Sequence, residues 1–270
     1  MNLFKIFRTL GIYTLFFFGL LLLSLYPVQS INHLISPYLY VFSDYYGFKQ
    51  FILSMPRRFI FGVYGLIFCV YWMQVERITP PIKPMTRVLF DYYRGFIWVL
   101  SCYLLSEVCY WIFNYSQILP CDAALLLKSS LFVLISSSMT AALEELVFRH
   151  ILLSSFEKST QRFVTANILQ ACVFAIAHIL NPSATFMRFI SWVYWGIFLG
   201  ILRNKNSSIF LPIGFHSGMH YTGILNQFFE KTDVYSNNGT FMFYVITITT
   251  LLWSYFFARS RKNEFLYPNS

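Results

Sequence analysis

The chain has 270 residues, of which 57% are hydrophobic and only 11% are charged. A soluble globular domain carries about 25% charged residues, so this balance excludes one and indicates an integral membrane protein. The formal charge of +9 invites a nucleic-acid partner, but Lys5 and Arg8, Arg57 and Arg58, Arg77 to Arg94, Arg203 and Lys205, and Arg259 to Lys262 flank apolar runs instead of gathering on one soluble face. That pattern sets topology and touches anionic headgroups, so the expected partner is membrane lipid and no nucleic acid.

A run of about 20 apolar residues crosses a bilayer. About eight spans are expected, near residues 9–27, 59–75, 95–113, 123–152, 163–180, 187–202, 209–228 and 240–258. The expected fold class is therefore all-α, a polytopic transmembrane helix bundle. The first run follows Lys5 and Arg8 and has the look of a signal peptide. It is rather long for one, however, and Val28-Gln29-Ser30 makes a poor cleavage site, so a retained anchor is expected. Residues 30–58, with Pro37 and Pro56, are expected at the interface. Thr79-Pro80-Pro81-Ile82-Lys83-Pro84 reads as a stiff extended linker, because consecutive prolines favour polyproline II. Both termini and the loops at 76–94, 154–162 and 203–206 are basic, which places both ends of a multi-pass protein in the cytoplasm. Arg57 and Arg58 fall on the wrong side in that arrangement.

The five cysteines have no C-x-x-C spacing, so they read as small buried hydrophobes rather than zinc ligands or disulfides. Glu107 and Lys128 fall in neighbouring spans and are expected to pair, the alternative being a Lys128 that snorkels to the headgroups. Asn114-Tyr115-Ser116 and Asn238-Gly239-Thr240 are glycosylation triplets on the expected outer side, of a kind that chance often produces.

The most informative residues are Glu144-Glu145-Leu146-Val147-Phe148-Arg149, inside an apolar stretch. Each charge at membrane depth costs roughly 2.5–3.5 kcal/mol even on insertion scales, so such residues point to function. Residues four apart share a helical face, so Glu145 and Arg149 can pair while Glu144 points elsewhere, available as a general base or acid. The bland alternative is a salt-bridge cluster at a helix end. His178 closes another apolar run, before Asn181-Pro182, where a lone histidine is more often a satisfied interfacial residue than a functional one. His216 and His220 lie one turn apart on one helical face, as on zinc-binding helices, or else merely share a polar cavity. Gly214 and Gly218 border them and permit close approach of a neighbour.

Taken together these residues resemble the CAAX protease and bacteriocin-processing family of intramembrane proteases. The family's signature is Glu-Glu-x-x-x-Arg, then Phe-x-x-x-His, then His-x-x-x-Asn/Asp, each on its own transmembrane helix. Glu144, Glu145 and Arg149 match the first motif, and Phe174 and His178 the second. His216 opens the third, but His220 stands where the family has Asn or Asp. Gly196-Ile-Phe-Leu-Gly200 and Ser208-Ile-Phe-Leu-Pro212 also resemble the family's run-in to the third motif. The likeness covers roughly residues 123–228, taken as a catalytic core between N-terminal transmembrane and interfacial helices at 1–122 and a C-terminal helix and basic tail at 229–270.

The resemblance implies an intramembrane endopeptidase acting on a membrane-associated peptide or protein. Glu144 and His178 would activate water, His216 and the residue at 220 would stabilise the oxyanion, and Arg149 would hold Glu145. Whether a metal takes part is disputed for the family. With histidine at 220, Glu144, His178, His216 and His220 form a candidate zinc set. The same substitution also fits a site that no longer cleaves, so a non-catalytic immunity or scaffold protein is the rival reading, with a transporter using the carboxylates as a proton relay behind it.

Overall fold

The computed structural model describes positions 4, 8, 11 and 12 and residues 63–79, 83–112, 116–118, 123–179, 184–206, 208–225 and 229–231. These form a helix bundle with one small ribbon. Its elements are α1 (Val63–Glu76), α2 (Met85–Ile112), β1 (Ser116–Ile118), α3 (Ala123–Glu145), a π-helical segment (Leu146–Leu152), α4 (Leu153–Thr160), α5 (Phe163–Ala177), α6 (Phe186–Asn206), α7 (Phe210–Leu225) and β2 (Phe229–Lys231). β1 and β2 pair antiparallel, with Gln117 opposite Glu230. The sequence reading did not foresee this ribbon, because three residues are too short a run to carry a strand pattern.

Among the described residues two helices are long and apolar enough to cross a membrane, Met85–Cys109 and Phe186–Asn204. The eight expected spans are accordingly not all realised as long helices. The runs near 59–75 and 163–180 form the shorter apolar helices Val63–Glu76 and Phe163–Ala177. The run near 209–228 gives the 16 residues of α7, with Pro212 tolerated in its first turn, where the missing N–H has no intrahelical partner to lose. The expected span at 123–152 is α-helical only to Glu145, where the backbone widens into π-helix. The runs at 9–27 and 240–258, the sequons, Cys121 and most of the linker prolines lie outside the described residues, as does the side chain of Lys128, the expected partner of Glu107. Of the other cysteines, Cys69 and Cys102 are buried as small apolar side chains, while Cys109 and Cys172 are partly exposed.

Two helix pairs position the site. α2 lies against α7 across glycines: a Cβ on Gly214 would collide with the Tyr92 carbonyl oxygen, one on Gly95 with that of Leu211, and one on Gly218 with the Val99 side chain. Contact this close is possible only without side chains at the crossing. α3 joins α7 and α2 at a hydroxyl triad. Tyr92 Oη lies 2.6 Å from Ser138 Oγ and 3.1 Å from Ser217 Oγ, with 3.1 Å between the two serines. The Ser138 hydroxyl donates to the Leu134 carbonyl at 2.6 Å, so Tyr92 must donate to Ser138 in turn.

The second pair is α5 and α6. Gln170 Nε2 donates to the Gly196 carbonyl at 2.8 Å and to Asn167 Oδ1 at 3.0 Å, while Asn167 Nδ2 donates to the Ile197 carbonyl at 2.9 Å. Gly196 admits the Ala171 backbone and Gly200 the Asn167 amide. Polar side chains buried in an apolar bundle thus find partners across a helix interface. The apolar core falls into two clusters, one around Trp72, Phe148, Ile151, Leu152 and Phe156, the other around Trp195, Leu199, Leu211 and Phe215. At one end of the bundle Arg203 ties α6 to α4, 3.0 Å from Glu157 and 2.7 Å from Ser154 Oγ.

Candidate active site

The site forms where the end of α3, the π-helical segment, the end of α5 and the middle of α7 meet. Helical spacing puts Glu145 and Arg149 on one face, and the two are paired at 3.0 Å with both side chains fully buried. The π-helical segment makes this deep placement tolerable. Its wider turn shifts the side chains that follow relative to an α-helical continuation, and Val147, Phe148, Arg149, Ile151 and Leu152 are all buried. One turn of π-helix inside an α-helix is rare and concentrates at functional sites.

Phe174 fills the centre. The Arg149 guanidinium stacks on its ring at 4.3 Å, the Phe148 ring meets it edge-on at 5.1 Å, and the rings of His178 and His216 lie 4.4 and 6.3 Å away. A desolvated cation over an aromatic face is worth about 2 kcal/mol or more. That contact offsets part of the cost of burying Arg149, whose Nη1 faces Glu145 Oε1 while Nε and Nη2 have no hydrogen-bond acceptor among the described residues.

Glu144 points away from Arg149 and toward histidines. Its Oε2 lies 3.8 Å from His178 Nε2 and 3.7 Å from His216 Nε2. Each imidazole is oriented from behind. His178 Nδ1 donates to the Phe174 carbonyl at 2.8 Å, a bond within the last turn of α5. His216 Nδ1 donates to Glu145 Oε1 at 2.7 Å. Glu145 therefore bridges Arg149 and His216, a double role that its spacing from Arg149 did not reveal. His220 stacks on His216 with ring centroids 4.7 Å apart and planes 21° from parallel.

The structure thus brings Glu144, His178 and His216 face to face, with His220 beside them and Glu145 and Arg149 behind. Among the described residues, one group could hold a metal ion: donor atoms of Glu144, His216 and His220 all lie within 4.8 Å of one another. His178, the fourth member of the expected zinc set, is outside that group and approaches only from the Glu144 side. Trp192 of α6, which carried no signal in an apolar helix, covers the outer face of His178 at 5.3 Å. Ile176 and Ile179 at the end of α5 and Phe186, Met187 and Ile190 at the start of α6 are exposed apolar side chains.

Residues 126–222 match a family model described as type II CAAX prenyl endopeptidase Rce1-like. The match takes in all three motifs and agrees with the resemblance they carry. No curated protein and no solved structure matches the chain. The family match supports a membrane-embedded protease of the CAAX type as the general class.

Proposed function

We propose that the chain is an intramembrane endopeptidase whose core, residues 123–228, hydrolyses a peptide bond of a membrane-associated substrate. The observation that carries this reading is the convergence of Glu144 Oε2 with the Nε2 atoms of His178 and His216 inside the segment that matches a protease family.

Glu144 and His178 are the catalytic residues of this proposal. Water between them gives a proton to the pair as its oxygen attacks the scissile carbonyl carbon. The carbonyl oxygen, now negative, turns toward His216 and His220; His216, whose Nδ1 proton is donated to Glu145 in a hydrogen bond, stabilises it only as a cation, while His220 can offer an N–H donor. The C–N bond breaks as the pair returns the proton to the leaving amine, which gives a new carboxylate and a new amine. Arg149 acts through Glu145, and Glu145 through His216, so both are positioning residues. A zinc-class ion would be held by Glu144, His216 and His220 by donor chemistry and would supply positive charge at the oxyanion; Glu144 would then serve as a ligand and leave His178 to take the water proton.

The substrate proposed is a membrane-anchored chain bearing a prenylated C-terminal Cys-a-a-X tail, which follows the family description. The exposed apolar side chains around Ile179 and Phe186, next to His178, offer its isoprenoid a surface continuous with lipid. The protein is proposed to be multi-pass, with both termini in the cytoplasm.

The test compares membrane-protein termini in cells carrying the wild-type chain or Glu144→Gln at matched expression. A farnesylated Cys-a-a-X peptide is followed in parallel in proteoliposomes. New termini and a released tripeptide that require Glu144 are expected. Identical termini in the two strains would refute proteolysis, whereas Glu144-dependent termini with an intact farnesylated peptide would refute the prenylated substrate alone.

A further inference from the structure

We infer that Tyr92 and Ser138 are positioning residues for the site: through Ser217 they fix the rotation of α7 about its own axis, and with it the aim of His216 and His220. This role rests on the endopeptidase activity proposed for Glu144 and His178.

At 3.6 residues per turn, successive positions on α7 are about 100° apart. Gly214 and Gly218 face α2, where a Cβ would meet the Tyr92 carbonyl and the Val99 side chain. His216 and His220 lie about 200° farther round, turned away from α2 and toward Glu144. Ser217 falls between these two faces and turns to Ser138 of α3. The glycine crossing brings α2 and α7 close, but its contacts are those of backbone shape and set no precise angle, so it acts as a pivot.

Two polar ties from α3 oppose turning on that pivot. One runs from Glu145 to His216 at 2.7 Å, the other from Ser138 to Ser217 at 3.1 Å. They grip adjacent residues of α7, so a turn that shortens one stretches the other. The second tie is also directional. The Ser138 hydroxyl gives its proton to the Leu134 carbonyl at 2.6 Å, and Tyr92 therefore donates to Ser138 at 2.6 Å. Ser217 is left to donate to Tyr92 Oη and Ser138 Oγ, 3.1 Å from each. Ser138 is already satisfied as a donor within its own helix, so the remaining bonds of the triad join helices rather than repair a buried group. A hydrogen bond weakens steeply with misalignment, and Ser217 is fully buried, away from replacement partners in solvent.

Side chains reach about 5–6 Å from a helix axis, so a turn of about 10° moves an imidazole by about 1 Å. Glu144 Oε2 stands 3.7 Å from His216 Nε2, and such a shift is a large part of that separation. Misplacement by about 1 Å can cost on the order of 100-fold in rate. Tyr92 lies outside residues 126–222, so this contribution comes from beyond the segment that matches the protease family.

The test assays full-length chain in proteoliposomes on a farnesylated Cys-a-a-X peptide, or on a membrane protein whose cleavage requires Glu144. The rate is expressed per folded molecule, which removes the loss that a purely structural hydroxyl would cause. Tyr92→Phe and Ser138→Ala should each lower kcat about 10-fold, and together on the order of 100-fold, with KM within about twofold of wild type. Ser138→Thr keeps the hydroxyl at a half-buried position and should recover most of the kcat that Ser138→Ala loses. Unchanged kcat in the double variant would overturn the inference, as would unchanged kcat in both single variants where the double fails to fold. A Ser138→Thr chain as slow as Ser138→Ala would overturn it too, and so would a rise in KM with kcat intact, which would assign Tyr92 to substrate contact. A wild-type chain with no Glu144-dependent cleavage would instead sink the endopeptidase proposal, and this role with it.

Discussion

Replacing Arg149 with methionine removes the guanidinium that pairs with Glu145. Arg149 and Glu145 are fully buried and 3.0 Å apart, and the guanidinium also stacks 4.3 Å above the Phe174 ring. Breaking a buried pair by removing one partner costs about 3–5 kcal/mol, because the remaining charge is left uncompensated. Here Glu145 keeps its bond to His216 at 2.7 Å, which retains some compensation, while loss of the cation–π contact adds about 2 kcal/mol. Arg149→Met is therefore expected to destabilise the fold by about 4 kcal/mol, read as a shift in SDS-titration unfolding of the full chain in mixed micelles. Adding Glu145→Met removes the stranded carboxylate and should restore at least about 2 kcal/mol, since an apolar replacement of a whole buried pair is often neutral or stabilising. The return stays incomplete because His216 Nδ1 then lacks its acceptor, at about 1–3 kcal/mol. A single variant costing under about 1 kcal/mol, or a double variant whose cost is the plain sum of the two, would refute this account of the buried pair.

Gly214→Ala should lower the unfolding midpoint by the equivalent of about 1–3 kcal/mol, because the new methyl meets the Tyr92 backbone rather than a movable side chain; a midpoint unchanged from wild type would show that α2 and α7 can separate without cost. Gln170→Leu should cost about 1–2 kcal/mol in the same assay, since it removes the buried bond to the Gly196 carbonyl that joins α5 to α6 and the one to Asn167 within α5; Gln170→Glu, whose carboxylate cannot donate, should cost more. Trp192→Ala should lower kcat more than it raises KM for the cleaved substrate, because its ring packs on His178; a change in KM alone would assign Trp192 to substrate binding instead.

Local spacing determined a good part of this protein. Four residues of helix set Glu145 beside Arg149 and His216 beside His220, and adjacency turned Glu144 the other way. These are consequences of helical pitch, legible without any fold. The apolar composition likewise required a bundle of helices with few charges, and the motif order pointed to the family that residues 126–222 match. Tertiary structure decided the rest. Glu145 reaches His216 across 71 positions of sequence, and no periodicity encodes a contact between helices. Trp192 became part of the site because α6 docks on α5 through Gly196 and Gly200, a crossing set by backbone shape. The π-helical turn after Glu145 arose where Arg149 and its apolar neighbours are all buried at once, which a single α-helical stripe does not predict. The orientation of His178 and His216 depends on acceptors that the folded chain places behind each ring. Sequence determined which groups could meet; packing decided which atom of each faces the others.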